Sequence, residues 1–224
     1  MKRIVFCDFD GTITVEETFV AMLKRFTPEV SAQLLPEIYA QRVSLRLGVR
    51  QMLESIPSSS YPEIVEFAGS QLIRSGFLSF LDFLDTQKIP FIIVSGGLQA
   101  MVEATLKPFA DRISAIHAIN VDTTGFYLRV NSLYEGGTEM VAKAQIMASY
   151  SADETIAIGD SITDWNLALA ASLVFARPPL TSYLEEHCKP YISWTDFIDV
   201  RDHLAKHIVI NTNRIQCFLD SVLT

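Results

Sequence analysis

The stretch IVFCDFDGTIT, residues 4–14, organises the rest of the chain. Four apolar residues run directly into Asp8 and Asp10, and a Gly-Thr turn follows. An unbroken apolar run of this kind is typical of a strand buried on both faces of a parallel sheet. Side chains two residues apart on a strand point the same way, and two buried carboxylates repel each other unless a cation joins them. The stretch therefore predicts that Asp8 and Asp10 hold a hard metal ion at the carboxyl end of a central strand.

The composition bounds the class of protein. With 224 residues, of which 49% are hydrophobic and 20% charged, the chain can form one core, or a core and a small second domain. A net charge of −8 argues against a nucleic-acid or anionic-membrane surface. Three widely spaced cysteines indicate reduced thiols, and no apolar run is long enough to span a membrane. We therefore expect a cytoplasmic monomer or homodimer that acts on a small molecule, with no nucleic acid and no membrane as partner.

Residues 15–75 carry apolar side chains at helical spacing in four successive segments. Pro28 and Pro62 fit the first turns of two of these segments, and Pro57 with a run of three serines separates two of them. The pattern predicts a small helical bundle inserted directly after the first strand. Residues 1–14 and 76–224 would then form the other domain, and the short links near Thr14 and Gly76 would allow the bundle to move as a hinged cap.

The remainder of the chain alternates between buried strands and helices. Strands are predicted at 4–7, 91–94, 113–119, 155–158, 173–176 and 191–194. This alternation predicts an α/β fold with a doubly wound, Rossmann-like parallel sheet. Residues 121–134 predict a hairpin. A helix is predicted over 195–207, with Thr195 as its N-cap. Residues 208–224 are predicted to end in a helix and show no residues with an evident chemical role.

Polar residues follow three of these strands at the edge where such sheets bind ligands. They are Asp8 and Asp10, the run Ser95-Gly96-Gly97, and the pair Gly159-Asp160. Gly96 could offer a backbone N–H to an anion at a helix start. Each feature alone has a plainer interpretation: an ordinary strand that ends in a solvated Asp-rich turn for Asp8 and Asp10, a strand-to-helix turn for residues 95–97, and helix capping by Asp160 or Thr163 for residues 159–164.

Four motifs in one order resemble a known family. DFDGT at 8–12, SGG at 95–97, Lys143 within VAKAQIM and GDSITD at 159–164 resemble the motifs of the haloacid dehalogenase-like superfamily. The match is to its phosphatase branch with a helical cap, and it spans nearly the whole chain. It implies a Mg²⁺-dependent phosphomonoester hydrolase that works through an aspartyl-phosphate.

The resemblance also implies a role for each motif residue. Asp8 would be the nucleophile, and Asp10 the general acid and base. Mg²⁺ would be bound by Asp8, Asp160 and the backbone carbonyl of Asp10, with Asp164 as a further ligand or as a support for the lysine. The phosphate would be bound by Ser95, Gly96 and Lys143.

Two branches of the superfamily compete for the substrate. Glu17 and Arg50 resemble cap residues with which phosphoserine phosphatases bind their substrate, although a first-turn charge and a solvated arginine are plainer interpretations. The segments 174–177 (VFAR) and 194–204 (WTDFIDVRDHL) resemble instead the methionine-salvage branch, which acts on 2-hydroxy-3-keto-5-methylthiopentenyl-1-phosphate. Residues 133–143 lack that branch's cysteine-rich insert. The overall pattern favours the salvage type, with phosphoserine phosphatase as the alternative, and a phosphotransferase or a catalytically silent binding module as alternatives of another class.

Overall fold

The computed structural model describes residues 1–222, and within 210–222 it describes the helical backbone alone. Its centre is a seven-stranded sheet in the order β4-β3-β2-β1-β5-β6-β7. The strands are β1 (Arg3–Cys7), β2 (Phe91–Leu98), β3 (Ala115–Asp122), β4 (Arg129–Asn131), β5 (Glu154–Gly159), β6 (Leu173–Ala176) and β7 (Ile192–Ser193). Neighbouring strands are parallel, except that β4 pairs antiparallel with β3. The predictions of a doubly wound parallel sheet and of a hairpin beside it are confirmed.

Ten α-helices are present in the part of the chain that the structure describes. They are α1 (Thr18–Phe26), α2 (Pro28–Tyr39), α3 (Leu45–Leu53), α4 (Tyr61–Gly69), α5 (Phe77–Gln87), α6 (Gln99–Leu106), α7 (Lys143–Ala148), α8 (Trp165–Ala170), α9 (Leu180–Glu186) and α10 (Phe197–Val222). Helices α1 to α4 lie between β1 and α5, in the segment predicted to be helical. Helix α9 was not predicted. None of these helices is both long and apolar enough to cross a membrane.

Strand β1 is buried on both faces, as its apolar run predicts. Ile4 and Phe6 pack in the hydrophobic cluster that also contains side chains of helices α1 and α3. Val5 and Cys7, which point to the opposite face, pack in the cluster formed with α5 and α10. Because successive side chains of a strand alternate between its faces, the one strand joins both halves of the core.

Two predicted element ends are wrong. Strand β2 continues through Leu98 and α6 begins at Gln99, so Gly96 lies within the end of a strand and not at a helix start. Helix α10 is capped by Asp196, not Thr195: Asp196 Oδ1 accepts hydrogen bonds from the N–H groups of Ile198 (2.8 Å) and Asp199 (3.3 Å). An aspartate satisfies these free amide groups better, because its carboxylate also interacts favourably with the helix dipole.

The last helix is longer than predicted. It runs without a break from Phe197 to Val222 and includes most of the 208–224 segment. Residues 223 and 224 lie outside the described part of the chain, as do the side chains of 210–222, among them Cys217. Cys7 and Cys188 are both free thiols, as predicted.

Candidate active site

Three carboxylates meet at the carboxyl edge of the sheet. Strands β1 and β5 are adjacent and parallel, with Cys7 opposite Ile158, so Asp8 and Asp160 leave the sheet side by side. Asp164 lies in the turn that follows β5. All three are buried, and one carboxylate oxygen from each lies within 4.8 Å of the others. The structure thus brings together three of the predicted site residues from two distant parts of the sequence.

Lys143 is the cation of this cluster. It is the first residue of α7, and only 1% of its surface is exposed. Its Nζ donates hydrogen bonds to Asp8 Oδ1 (2.5 Å) and to Asp164 Oδ1 (2.7 Å). Burial lowers the pKa of Lys143, but the two carboxylates outweigh this effect and raise it above its usual value. The lysine is therefore held charged between two acids, as an ion pair away from solvent.

Lys143 contacts two of the three carboxylates, those of Asp8 and Asp164. Burial, and then the charge of Asp164, raise the pKa of Asp8 well above its usual range, although Lys143 acts in the opposite direction. Burial and Asp164 also raise the pKa of Asp160 to about 6. Such a cluster of buried negative charge is costly unless a further cation or protons neutralise it. Clustered carboxylate oxygens are the ligands that hard divalent cations such as Mg²⁺ prefer, so the donor set fits such an ion.

Two glycines allow the carboxylates to approach the backbone. Gly11 has a φ of +72°, and a Cβ built on it would lie 2.5 Å from Asp160 Oδ2. A Cβ on Gly159 would lie 2.5 Å from the carboxyl carbon of Asp164. Thr12 follows Gly11, and its hydroxyl donates to Asp160 Oδ1 at 2.8 Å. The turn after β1 therefore contacts Asp160, which follows the neighbouring strand β5.

Asp164 closes a capping box. One of its oxygens, Oδ2, accepts from the N–H groups of Asp160 (3.0 Å) and Ser161 (3.1 Å), and the Ser161 hydroxyl accepts from the N–H of Thr163. The N-cap is thus Ser161, not Asp160 or Thr163 as the capping interpretation had it. Since the other oxygen of Asp164 binds Lys143, the capped turn fixes the lysine in place.

Asp10 is separated from this cluster. Its Oδ1 accepts a hydrogen bond from the N–H of Phe19 (2.9 Å), in the first turn of α1. Burial raises the pKa of Asp10 to about 7, although the Phe19 N–H acts in the opposite direction. The carboxylate of Asp10 is not among the three whose oxygens lie within 4.8 Å of one another. A carboxyl group with a pKa near 7 can donate or accept a proton at neutral pH.

The Ser95-Gly96-Gly97 run borders Asp10. Ser95 is fully buried, and its hydroxyl accepts from the N–H of Gly97 (3.0 Å). A Cβ on Gly97 would lie 2.9 Å from Asp10 Oδ2, whereas a Cβ on Gly96 would meet open space. The run thus leaves room at Gly96, where the phosphate was predicted to bind.

The two predicted residues of the helical segment lie in different surroundings. Glu17 is exposed at the start of α1, and its charge adds a small part to the raised pKa of Asp10, so it lies within electrostatic reach of the site. Arg50, on α3, donates to Glu54 Oε1 (3.0 Å) and forms an ion pair with Glu135. The structure therefore places Glu17 within electrostatic reach of Asp10, the predicted general acid, whereas Arg50 pairs with Glu54 and Glu135.

Comparison with known proteins identifies the family. A sequence model of haloacid dehalogenase-like hydrolases matches residues 5–169. The chain belongs to this family. It is 54% identical over 206 residues to the 2-hydroxy-3-keto-5-methylthiopentenyl-1-phosphate phosphatase of Microcystis aeruginosa (strain NIES-843), covering 91% of this chain and 98% of that protein. It is 32% identical over 217 residues to a protein of the same name from Bacillus cereus (strain AH187), with 93% and 98% covered.

Solved structures show the same fold. A substrate-bound phosphoserine phosphatase complex matches this hydrolase with a TM-score of 0.68 over 91% of this chain and 98% of that one. At 18% identity this match concerns the fold alone. The predictions of a haloacid dehalogenase-like hydrolase and of a phosphatase are confirmed.

Sequence reasoning assigned no site role to two arginines of this hydrolase. Arg74 and Arg177 both donate hydrogen bonds to the carbonyl oxygen of Gly11, at 2.5 and 3.1 Å. Arg177 directly follows β6, at the sheet edge where polar residues were expected, and this position could have revealed it. Arg74 lies in a link outside the sheet, and no motif marks it.

Proposed function

We propose that this phosphatase removes the phosphate from 2-hydroxy-3-keto-5-methylthiopentenyl-1-phosphate in the methionine-salvage pathway of the cytoplasm. The observation that carries the chemistry is the buried contact of Lys143 with Asp8 and Asp164. The relative that is 54% identical over 91% of the chain, and that bears the name of this activity, supports the substrate.

In this proposal Asp8 is the nucleophile. Its carboxylate would attack phosphorus and expel the leaving oxygen, which gives an aspartyl-phosphate that water then hydrolyses. Two anions must approach each other in this step, and Lys143 would reduce their repulsion from 2.5 Å away. Ser95 and the N–H of Gly96 would bind the phosphate oxygens.

Asp10 would be the general acid and base. Protonated, it would donate its proton to the leaving oxygen, and ionised, it would accept a proton from the attacking water. A pKa of about 7 suits both directions. The hydrogen bond from the Phe19 N–H would hold the Asp10 carboxyl group in one orientation through both steps.

We propose Mg²⁺ as the cation of the acidic cluster, held by Asp8, Asp160 and the backbone carbonyl of Asp10. Asp164 would support the site through Lys143. When bound, the ion would supply charge neutralisation for the phosphate and the developing negative charge. The three buried carboxylates lie within 4.8 Å of one another, and this cluster supports the assignment.

We also propose that residues 15–75 act as a cap, and that residues 1–14 and 76–224 form the catalytic domain. Helix α1 begins one residue after Glu17 and donates to Asp10 through Phe19, so the first helix of this segment borders the site. Movement of the segment would then change access to Asp10, and Glu17 would be placed to contact the substrate.

The experiment is a phosphate-release assay with a panel of phosphomonoesters that includes the salvage enol-phosphate and phosphoserine. We expect the highest kcat/KM for the salvage compound, full loss of activity in EDTA and recovery with Mg²⁺. A preference for phosphoserine would overturn the substrate, and full activity in chelator would overturn the metal. Adding an alcohol acceptor tests the phosphotransferase alternative, since transfer would give a new phosphoester.

A further inference from the structure

Arg74 lies where the helical segment rejoins the core. The outgoing link after β1 and the returning link before α5 run side by side, with Thr14 and Ile73 paired as an antiparallel bridge. The N–H of Arg74 donates to the carbonyl of Ile13 (2.8 Å). The backbone of Arg74 is therefore fixed directly beside the turn that follows Asp10.

The side chain of Arg74 binds three carbonyl groups of this turn. Its Nε donates to Thr12 O (2.8 Å), and its Nη2 donates to Gly11 O (2.5 Å) and Thr14 O (3.2 Å). A planar guanidinium can satisfy several acceptors at once, which a lysine cannot do in the same geometry. One side chain thus fixes the turn at three points.

Two neighbours hold this guanidinium in place. The carbon Cζ of Arg74 lies 5.6 Å from the ring centroid of Trp194, and that of Arg177 lies 5.3 Å from it. Arg177 also donates to the carbonyl of Gly11 (3.1 Å). Two arginines so close together repel each other, and the shared ring and carbonyl oxygens offset that repulsion.

The turn that Arg74 binds is the one that orients Asp160. Thr12 donates its hydroxyl to Asp160 Oδ1, and Gly11 lies against Asp160 Oδ2. We propose that Arg74, assisted by Arg177, is a positioning residue that keeps this turn in contact with Asp160 and so sets the geometry of the cation site. This inference rests on the proposed function in one respect, namely that Asp160 binds Mg²⁺.

The test compares Arg74→Lys with Arg177→Lys and with the wild-type enzyme. Mg²⁺ is titrated twice, once by the rise in melting temperature without substrate and once by phosphate release. We expect the half-saturating Mg²⁺ concentration to rise about 10- to 100-fold for Arg74→Lys, and less for Arg177→Lys. We also expect Arg74→Lys to lower kcat. KM for the phosphomonoester, measured at saturating Mg²⁺, should stay unchanged, because Arg74 binds the turn and not the substrate.

Arg112→Lys is the matched control. Arg112 precedes β3, at the opposite edge of the sheet, and pairs with Asp82 and Asp85 of α5. This change should leave both Mg²⁺ titrations as in the wild type. If Arg74→Lys does not fold, Arg177→Lys tests the same contact with Gly11.

Three results would overturn the inference. The first is a wild-type Mg²⁺ titration in the arginine variants, and the second is a raised KM at unchanged kcat, which indicates substrate contact. The third is a wild-type protein whose melting temperature does not respond to Mg²⁺, which also removes the proposed metal. A wild-type protein that binds Mg²⁺ but hydrolyses no phosphomonoester contradicts the proposed reaction alone, because the melting-temperature titration still measures the effect of Arg74.

Discussion

The carboxyl edge of the sheet and the helical segment over residues 15–75 use charged residues in different ways. At the sheet edge, Asp8, Lys143 and Asp164 are buried and bind one another. In the helical segment, Glu17 is exposed, and Arg50 is partly exposed and pairs with Glu54 and Glu135. Burial makes each charge at the sheet edge depend on its partners, whereas solvent screens the charges of the helices.

Different constraints fix the two regions. Strand pairing sets the sheet edge, because the register of Cys7 with Ile158 determines where Asp8 and Asp160 lie. In the helical segment, side-chain contacts with distant parts of the chain set the surroundings, since Arg50 of α3 pairs with Glu135, 85 residues away in the loop before α7. We therefore expect substitutions at the sheet edge to change chemistry and stability strongly, and substitutions on the helices to change them weakly.

Asp8→Asn should have the largest effect. An amide is a poor nucleophile, so we expect phosphate release to fall more than about 1,000-fold, while the melting temperature measured in EDTA does not decrease. Activity is followed by phosphate release, and folding by circular dichroism. Asp82→Asn on α5 is the control, since that side chain is largely exposed. Residual activity above a few per cent would rule out Asp8 as the nucleophile.

Lys143→Met should be the most destabilising change. It removes the only cation that contacts Asp8 and Asp164 among the described residues, and breaking a buried ion pair in this way costs about 3–5 kcal/mol. Urea unfolding at pH 7.5 in EDTA measures the loss. Lys107→Met, at an exposed position, should cost little. Asp164→Asn added to Lys143→Met should recover part of the stability, and a purely additive double variant would contradict this account.

Much of the sheet edge could be predicted from the sequence, because its positions follow from strand ends. The run into Asp8 and the Gly159-Asp160 pair placed both carboxylates correctly at neighbouring strands. The sequence did not predict that Asp10 turns towards Phe19, because β1 ends at Cys7 and Asp10 lies in the turn that follows, where the two-residue alternation of a strand does not apply. Nor could it predict the partners of Arg50 and Arg74, since these depend on how separate helices and links pack.

The pH dependence of stability should differ between wild type and Asp160→Asn. A carboxyl whose pKa is raised from 3.8 to about 6 keeps its proton in the folded state, so folding is penalised as pH rises through that range. Two pKa units correspond to about 3 kcal/mol in the free energy of unfolding. The wild-type protein loses this stability as the pH rises from about 4, and the loss is complete above about pH 6. In EDTA, Asp160→Asn should therefore be the more stable protein at pH 7.5, and the two should converge near pH 4.

Urea unfolding over a pH series measures this difference. Saturating Mg²⁺ should reverse the order at pH 7.5, since an ion bound to the folded state stabilises only the protein that retains the carboxylate. Parallel curves for the two proteins across pH 4–7.5 would show that Asp160 has an ordinary pKa in the folded protein.

Gly11→Ala should have a smaller effect at the same edge. The alanine would adopt a φ of +72° and bring its Cβ to within 2.5 Å of Asp160 Oδ2, so either the turn or the carboxylate must move. We expect a loss of about 1–2 kcal/mol in stability and a clear rise in the Mg²⁺ concentration needed for half-maximal activity. Gly137→Ala is the control, because a Cβ there meets open space. Equal behaviour of the two variants would contradict the close approach at Gly11.

Arg50→Gln should have the smallest effect, and it tests the helical segment. The side chain is partly exposed and paired with two glutamates, so we expect a loss below about 1 kcal/mol. If Arg50 serves the contact with Glu135, Glu135→Gln should reproduce its effect, and KM should change by the same factor for phosphoserine and for a phosphoester without a carboxylate. The contradicting result is a KM that rises only for phosphoserine, and only in Arg50→Gln. It would show that Arg50 binds a substrate carboxylate instead of Glu54 and Glu135. In that case the helices, too, would contribute directly to substrate recognition.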